Sequence, residues 1–108
     1  MTICRVMRRK RARSDIEDAA RHYASEAGID LAVRFTEAVE DSIRHIAAHP
    51  RSGSPRYAHL LRADDLRFWP VKGFPYLIFY AAAGASVDIW RVLHAERDIP
   101  AFLRGEMP

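Results

Sequence analysis

The chain has 108 residues, a formal net charge of +3 and 49% hydrophobic residues, which is typical of a single folded domain spanning residues 1–108. The lone cysteine, Cys4, excludes an internal disulfide and, without cysteine and histidine pairs at ligand spacing, argues against structural zinc. No apolar run reaches the roughly 18 residues of a membrane helix, and neither a signal peptide nor a nucleotide-binding glycine loop is present, so we expect a cytoplasmic protein without membrane partner or cofactor.

The first predicted element is a short edge strand at Ile3-Cys4-Arg5-Val6, where apolar and polar residues alternate loosely. Five cations follow within six positions: Arg8, Arg9, Lys10, Arg11 and Arg13. They form either a solvated loop whose charge protects the sheet edge, or an electrostatic surface for an acidic partner or nucleic acid. The sequence leaves both interpretations open.

Two amphipathic helices are expected to follow as a helical hairpin. Ser14-Asp15-Ile16-Glu17 has the pattern of a capping box, which predicts a helix start at Ser14, and Gly28 ends that helix. Asp30 is expected to cap the second helix, which Pro50 closes. Each helix has an apolar stripe that needs a sheet to pack on: Ile16, Ala19, Ala20, Tyr23 and Ala27 in the first, and Leu31, Phe35, Ala38, Val39, Ser42, Ile43 and Ile46 in the second.

Three segments rich in β-branched and aromatic residues predict strands at Leu66–Val71, Tyr76–Tyr80 and Val87–His94. The links between them are too short for parallel crossovers, so the strands form an antiparallel meander. Pro70 cannot donate to a ladder, so the first of these strands is expected to be an edge strand or to carry a bulge. Before this strand, Tyr57, Leu60 and Leu61 are suited to a short turn or helix over the sheet edge.

Alternation along the last strand gives each face of the sheet apolar bulk. It places Val87, Ile89, Arg91 and Leu93 on one face, and Asp88, Trp90, Val92 and His94 on the other. One face receives the helical hairpin. We expect the other to stay uncovered by this chain and to act as a partly basic binding face, since a large exposed apolar patch indicates an interaction site. The tail has two apolar anchors, Phe102 and Leu103, before it frays.

The cations around the meander are the one set of residues in the sequence that suits a catalytic role. Cleavage of RNA by its own 2′-hydroxyl needs a base, an acid and cations that hold the developing phosphorane charge. The residues suited to parts of this chemistry are Arg91 and His94, with Arg67 and Lys72. The competing interpretation is structural: the arginines pair with nearby carboxylates, and His94 simply ends the strand.

A metal site is not expected. His45 and His49 lie four apart on the second helix, a spacing that can bind a metal ion. Because no acidic ligand occupies a supporting position, we interpret both as surface histidines.

Several of these motifs resemble ParE toxins of the RelE/ParE superfamily over nearly the whole chain. The resemblance implies an α+β fold with an N-terminal edge strand, a helical hairpin on one face of the sheet and a three-stranded meander. It also implies the toxin of a type II toxin–antitoxin pair, often described as plasmid stabilisation. The motifs are Leu66-Arg67, Pro70-Val71, Tyr76-Leu77-Ile78-Phe79-Tyr80, Arg91-Val92-Leu93-His94-Ala95-Glu96-Arg97-Asp98, the helix start Ser14-Asp15-Ile16-Glu17 and the turn Pro50-Arg51-Ser52-Gly53.

Within this superfamily, ParE members inhibit DNA gyrase, whereas RelE members are ribosome-dependent ribonucleases with a lysine and arginine cluster and a late tyrosine or histidine. Here nothing after Arg97 supplies such a residue, and the only lysines are Lys10 and Lys72. We therefore expect a gyrase inhibitor that forms a hetero-oligomer with a ParD-like antitoxin through the antitoxin's acidic tail. The alternatives are a ribosome-dependent mRNA endoribonuclease and an inactive binding module. The expected partner-binding residues are Ile16, Tyr23, Phe35, Trp69, Trp90, Arg91, His94 and Arg97.

Overall fold

The structure is a computed structural model that describes residues 3–107; Met1, Thr2 and Pro108 lie outside the described range. The elements in chain order are β1 (Arg5–Arg8), α1 (Lys10–Ala27), α2 (Ile29–Ala48), α3 (Ala58–Leu61), β2 (Leu66–Pro70), β3 (Tyr76–Ala83), β4 (Ser86–His94) and α4 (Ile99–Arg104). The four strands form one sheet in the order β1-β4-β3-β2. The predicted α+β class is confirmed. None of the helices within residues 3–107 is both long and apolar enough to cross a membrane.

The sheet combines the predicted meander with an edge strand. β2, β3 and β4 pair antiparallel in sequence order, and β1 adds to β4 in parallel. β2 is the other edge, which suits Pro70 at its end because proline has no amide hydrogen to donate. The short helix expected over the sheet edge is α3, where Leu61 is buried and Leu60 is exposed.

Both helices begin earlier than predicted. α1 starts at Lys10, one turn before Ser14, and no side chain caps it. The predicted capping box is therefore wrong, because Ser14 lies inside a continuing helix. Asp15, in the second turn of that helix, directs its carboxylate to β4. Gly28 ends α1 and also starts α2, with a φ of 99° that glycine adopts without steric cost. Asp30 consequently lies in the first turn of α2 and does not cap it.

The helical hairpin of α1 and α2 packs on one face of the sheet, as predicted. Phe35, Val39 and Ile46 of α2 are fully buried there, whereas Ala27, at the tip of the hairpin, is exposed. An aromatic cluster forms part of this core, with ring centroids 5.2 to 6.2 Å apart; its members are Tyr23, Phe35, Phe74 and Tyr76.

A β-bulge in β4 changes the face on which its later side chains lie. Tyr80 pairs with Ile89, but Phe79 pairs with Arg91, so Trp90 is an extra residue in β4. Beyond a bulge the alternation reverses, because one residue has been inserted without a partner. Val92 therefore packs under the helical hairpin, and Leu93 packs on the opposite face with Trp90. The strict alternation expected from the sequence is wrong from this point onward.

The second face of the sheet is covered, contrary to expectation. α3 and α4 pack on it, and the buried residues of this second core are Ala58, Leu61, Leu66, Phe79, Trp90, Leu93, Ile99 and Leu103. The tail is held in place because the Asp98 carboxylate accepts the Ala101 amide and caps α4. The predicted open sheet face is wrong, so a partner surface has to lie elsewhere.

Candidate partner-binding cleft

An open cleft of about 350 Å³ remains between α1 and the C-terminal end of β4. α1 forms one wall, and the end of β4 forms the other with the turn that follows it. The structure brings three predicted site residues together here, namely Arg91, His94 and Arg97. The full lining is Asp15, Asp18, Ala19, His22, Tyr76, Arg91, Val92, Leu93, His94, Arg97 and Phe102.

A second, shallower cleft continues the first one along α1. The two share four residues, and the second extends to Arg11 and Gly105. Together they form one groove beside α1, which we call the α1 groove and which runs from Arg11 to His22. At 1.5 Å per helical residue this is a length of about 16 Å. The shared residues are Asp15, Asp18, Arg91 and Phe102.

Arg91 is held at the floor of the α1 groove by Asp15. Its Nε and Nη2 donate to the two carboxylate oxygens at 2.7 and 2.8 Å, and the Val92 amide donates to the same carboxylate at 3.0 Å. The two side chains are only 11% and 13% exposed. The hydrogen bonds to Asp15 raise the pKa of Arg91 above its ordinary value, with a further contribution from the nearby Glu106 carboxylate. The charge of Arg91 is therefore already compensated within the chain.

The other titratable groups of the cleft are poorly arranged as a general base. His94 Nδ1 accepts the Glu96 amide at 3.1 Å, so the neutral ring carries its proton on Nε2, the nitrogen that remains for a substrate. The Tyr76 ring contacts His94 with 5.2 Å between centroids. Burial raises the pKa of Tyr76, although Arg97 opposes this, so the phenol stays protonated at neutral pH.

The four ribonuclease candidates are not brought together. The Arg67 guanidinium donates to the Gly53 and Arg51 carbonyls at 2.8 and 3.2 Å and borders a different, smaller hollow. Lys72 borders a third groove, between α2 and β2. Only Arg91 and His94 share a cleft. This arrangement leaves no single site where all four groups can hold one phosphate.

The remaining predicted partner residues differ in their exposure. Phe35 is fully buried and Trp90 is only 6% exposed, so the structure corrects both assignments: neither side chain is available to a partner. Ile16 and Tyr23 are half-buried against the hairpin core. Trp69 is half-buried, and its ring stacks on His45 with 4.1 Å between centroids. Contacts of these last three residues with a partner stay a prediction.

The basic segment at the start of the chain is largely neutralised. Arg8 pairs with Glu40 at 2.6 Å, and Arg9 pairs with Asp88 at 2.9 Å. Arg9 and Arg11 also approach Glu106, whose side chain is 6% exposed. Within residues 3–107 only Lys10 and Arg13 of the five cations have no ion pair, so most of this segment is structural.

Sequence reasoning missed two carboxylates that organise the α1 groove. Asp15 precedes the buried Ala19 by one helical turn, which places it beside the buried stripe; the capping-box interpretation concealed this signal. Glu106 gave no signal, because its arginine partners lie at the opposite end of the sequence or on β4.

The family model of the ParE toxin of the type II toxin–antitoxin system parDE matches residues 6–99. The chain belongs to the ParE toxin family. This confirms the resemblance noted in the sequence and makes the protein a toxin of the type II toxin–antitoxin class. The matched region ends where α4 begins, so most of the helix that covers the second face of the sheet lies beyond it.

A solved structure described as the chromosomal ParDE TA system from P. aeruginosa is similar to this ParE-family chain. The TM-score is 0.70 at 15% sequence identity, and the alignment covers 85% of this chain and 96% of that chain. At this level of identity the similarity shows a shared fold. A comparison with curated proteins gives no match.

Proposed function

We propose that this ParE-family toxin acts in the cytoplasm by binding and inhibiting DNA gyrase, without cutting RNA. The observation that carries this proposal is the Arg91–Asp15 pair. A cation that stabilises a phosphorane must be available to the phosphate, and Arg91 already has a bidentate partner at 2.7 and 2.8 Å. The separation of Arg67 and Lys72 from that pair supports the same conclusion. Membership of the ParE family supports gyrase as the target.

A ParD-like antitoxin is proposed to neutralise the toxin by occupying the α1 groove in a hetero-oligomer. Within residues 3–107, Arg97 makes no ion pair; it lines this groove, is exposed and lies 5.3 Å from the centre of the Phe102 ring. An acidic tail supplies carboxylates for Arg97, and its apolar side chains suit the half-buried Phe102. A groove of about 16 Å accommodates about three helical turns or five extended residues.

The target is tested with purified protein in a gyrase supercoiling assay. We expect inhibition at micromolar concentration, together with growth arrest and a DNA-damage response when the protein is expressed without its antitoxin. Unaffected supercoiling would contradict the proposal. Transcripts cut between codons in a translating extract, with cutting lost in His94→Ala, would establish the ribonuclease alternative instead.

The antitoxin site is tested by co-expression of the toxin with a ParD-like antitoxin. We expect the complex to co-purify, and Arg97→Glu to weaken it by reversing the charge of the groove. Arg104→Glu is the matched control, because Arg104 is an exposed arginine on α4 that does not line the groove. Equal affinity of the two variants would remove the α1 groove from the interface.

A further inference from the structure

Three arginines converge on one carboxylate near the C-terminal end of the chain. The Nη1 atoms of Arg9 and Arg11 lie 3.4 and 3.3 Å from carboxylate oxygens of Glu106. Nη1 of Arg91 lies 4.0 Å from the same group. The Glu106 side chain is only 6% exposed, although the residue lies in a turn after α4. We call Arg9, Arg11 and Arg91 the arginine cluster.

Two of the three guanidinium groups are held in place by other carboxylates. Arg9 binds Asp88 through Nε and Nη2, at 3.0 and 2.9 Å, and its guanidinium carbon lies 4.6 Å from the centre of the Trp90 ring. Arg91 likewise binds Asp15 through Nε and Nη2. In both arginines the remaining nitrogen, Nη1, is the one that faces the shared carboxylate. The cluster is therefore preorganised by contacts that do not involve this carboxylate.

Glu106 fits the arginine cluster loosely. Hydrogen bonds between a guanidinium and a carboxylate are usually about 2.7 to 2.9 Å long, as in the Arg91–Asp15 pair. The three distances to Glu106 are longer, from 3.3 to 4.0 Å. A carboxylate offers two oxygens to three donors, whereas a terminal phosphate group offers at least three. The spacing of the cluster therefore suits a terminal phosphate better than the carboxylate it holds.

The Glu106 side chain can leave the cluster without unfolding α4. The Glu106 backbone is held independently, because its amide donates to the Leu103 carbonyl at 2.9 Å and its carbonyl accepts Arg9 Nη1 at 2.8 Å. The anchors of α4, Ile99 and Leu103, are buried in the second core. The Arg11 side chain is 63% exposed and lines the shallower part of the α1 groove. An anion therefore has a path to the cluster from this groove.

We propose that the arginine cluster is a binding site for a terminal phosphate group, and that Glu106 is an internal substitute that the phosphate displaces. Releasing Glu106 leaves three arginines with two carboxylates, Asp15 and Asp88, so the site keeps an excess of positive charge for an anion. A phosphodiester fits less well, because only two of its oxygens are free of ester bonds. Glu106 lies beyond the region that the family model matches.

Binding at the cluster uses Arg91 differently from the ribonuclease alternative. It takes only Nη1, because Asp15 occupies Nε and Nη2, and it needs no general base. Phosphate is held at this site and not cleaved. Because the cluster adjoins the α1 groove, an occupied site changes the charge at one end of that groove.

The test titrates the whole isotope-labelled protein with inorganic phosphate and follows the arginine Nε–H signals by NMR. Ionic strength is kept constant with chloride, because salt screens exposed charges. The signals of Arg9 and Arg91 are expected to shift, in step with the carboxyl carbon of Glu106 as it leaves the cluster. Arg34, an exposed arginine of α2, is expected not to shift.

Glu106→Gln measures how strongly the internal carboxylate competes with phosphate. This variant is expected to bind phosphate about tenfold more tightly than the wild type, the change that follows if Glu106 fills the cluster for about nine-tenths of the time. Glu37→Gln is the matched control, because it removes an exposed carboxylate from α2, and it is expected to bind phosphate as the wild type does.

Arg11 is tested in the Glu106→Gln background, where its ion-pair partner within residues 3–107 is already absent. Adding Arg11→Gln leaves no further carboxylate unpaired, so the fold is expected to be kept. Phosphate affinity is expected to fall roughly fivefold, as for the loss of an exposed charge pair. Arg13→Gln in the same background removes an equal charge from an exposed residue of α1 and is expected to leave the affinity unchanged.

Small anions define the ligand more closely. Methyl phosphate that binds as tightly as inorganic phosphate would assign the site to phosphorylated small molecules, and weaker binding would assign it to the free ion. Methyl sulfate and dimethyl phosphate each have one negative charge, but three and two oxygens, respectively, are free of ester bonds. We expect methyl sulfate to bind more tightly.

Four results would overturn the inference: equal phosphate affinity of the wild type and Glu106→Gln, no loss of affinity with Arg11→Gln, dimethyl phosphate that binds as tightly as methyl sulfate, or shifts at Arg34 as large as those in the cluster. The inference does not depend on the proposed target. A protein that inhibits gyrase but binds no phosphate refutes only the phosphate site, and the reverse result refutes only the gyrase target.

Discussion

The Tyr80 hydroxyl joins Gly53 to the core and shapes the turn after α2. It accepts the Gly53 amide at 3.1 Å and donates to the Pro50 carbonyl at 2.8 Å, while its ring is fully buried. Burial raises the pKa of Tyr80, so the hydroxyl stays a donor at neutral pH. The Arg67 guanidinium binds the Gly53 carbonyl from the other side. The turn is therefore fixed by hydrogen bonds on both sides of one glycine.

The first prediction concerns Gly53→Ala. A Cβ at this position would collide with the Tyr80 hydroxyl and lie 2.8 Å from the Phe68 carbonyl oxygen and 2.9 Å from Tyr80 Cζ, and none of these atoms can move freely. We expect the free energy of unfolding to fall by about 2 kcal/mol, as for other overpacked sites, measured by urea denaturation. The control is Gly105→Ala, where the new methyl meets mainly the flexible end of Arg11; its change is expected to stay within about 0.5 kcal/mol.

A double variant tests whether the clash at Gly53 involves the Tyr80 hydroxyl. Tyr80→Phe removes the hydroxyl, at a cost of about 1 to 3 kcal/mol for the buried groups left unpaired. In the double variant with Gly53→Ala, the loss in the free energy of unfolding is expected to be smaller than the sum of the two single losses, because the two sites share a contact. Strict additivity would place the clash elsewhere.

The second prediction concerns Asp15→Asn. The change removes the bidentate carboxylate from the nearly buried Arg91 and leaves only Glu106, 4.0 Å away, so we expect a loss of about 3 kcal/mol in the free energy of unfolding. Asp18→Asn is the control, since its pair with Arg21 is more than 70% exposed and is expected to contribute under about 0.5 kcal/mol. Similar losses in both variants would show that the Arg91 pair is no more important for stability than an exposed one.

The third prediction is a pH dependence that arises from Glu40. Its hydrogen bonds with Arg8 hold the pKa of Glu40 below its usual range. The folded protein thus binds this proton less readily than the unfolded chain does. The pair therefore adds stability above the unfolded pKa of about 4.3, and that contribution is lost as the pH falls through the lower folded pKa.

Glu40→Gln should accordingly destabilise the protein at neutral pH, and the difference should disappear once the pH has fallen below the lowered folded pKa of Glu40. The effect is expected to stay under about 1 kcal/mol, because the two side chains are 30% and 37% exposed and solvent screens the pair. Denaturation is compared across pH with Glu37→Gln, an exposed residue of the same helix. A Glu40→Gln difference that persists unchanged at low pH would contradict the assignment.

The fourth prediction is a stabilising change at Arg62. This residue ends α3 with φ 52° and ψ 43°, the left-handed conformation, which costs a residue with a Cβ roughly 1 kcal/mol. Arg62→Gly is expected to raise the free energy of unfolding by up to about 1 kcal/mol. Arg62→Ala keeps the Cβ and is expected to give no gain, so an equal gain from both would point to the arginine charge instead of the backbone.

The meander was predictable because its signals are local. The strands are runs of β-branched and aromatic residues, and the links between them contain Gly73 and Gly84, both with positive φ. The bulge at Trp90 has no such signal, because in the sequence an apolar strand residue without a cross-strand partner is indistinguishable from one that has a partner. The cover by α4 was missed for a similar reason: Ile99 and Leu103 are buried only through contacts with distant parts of the sheet.

The candidate site was predictable in its positions but not in its electrostatics. Arg91, His94 and Arg97 follow from the motif at the end of β4. That Arg91 is neutralised by Asp15 depends on a contact between residues 76 positions apart. Glu106 is similarly distant from Arg9, at 97 positions, so the charge balance of the groove emerges only in the folded chain.

The parallel pairing of β1 with β4 joins Arg5 to Ser86, so almost the whole polypeptide must be synthesised before the sheet can close. Contacts this distant in sequence also form late and slowly in folding. A nascent chain on the ribosome therefore has neither a finished sheet nor an assembled groove. Because Phe102 of α4 helps to line the α1 groove, this surface is complete only once α4 has been synthesised.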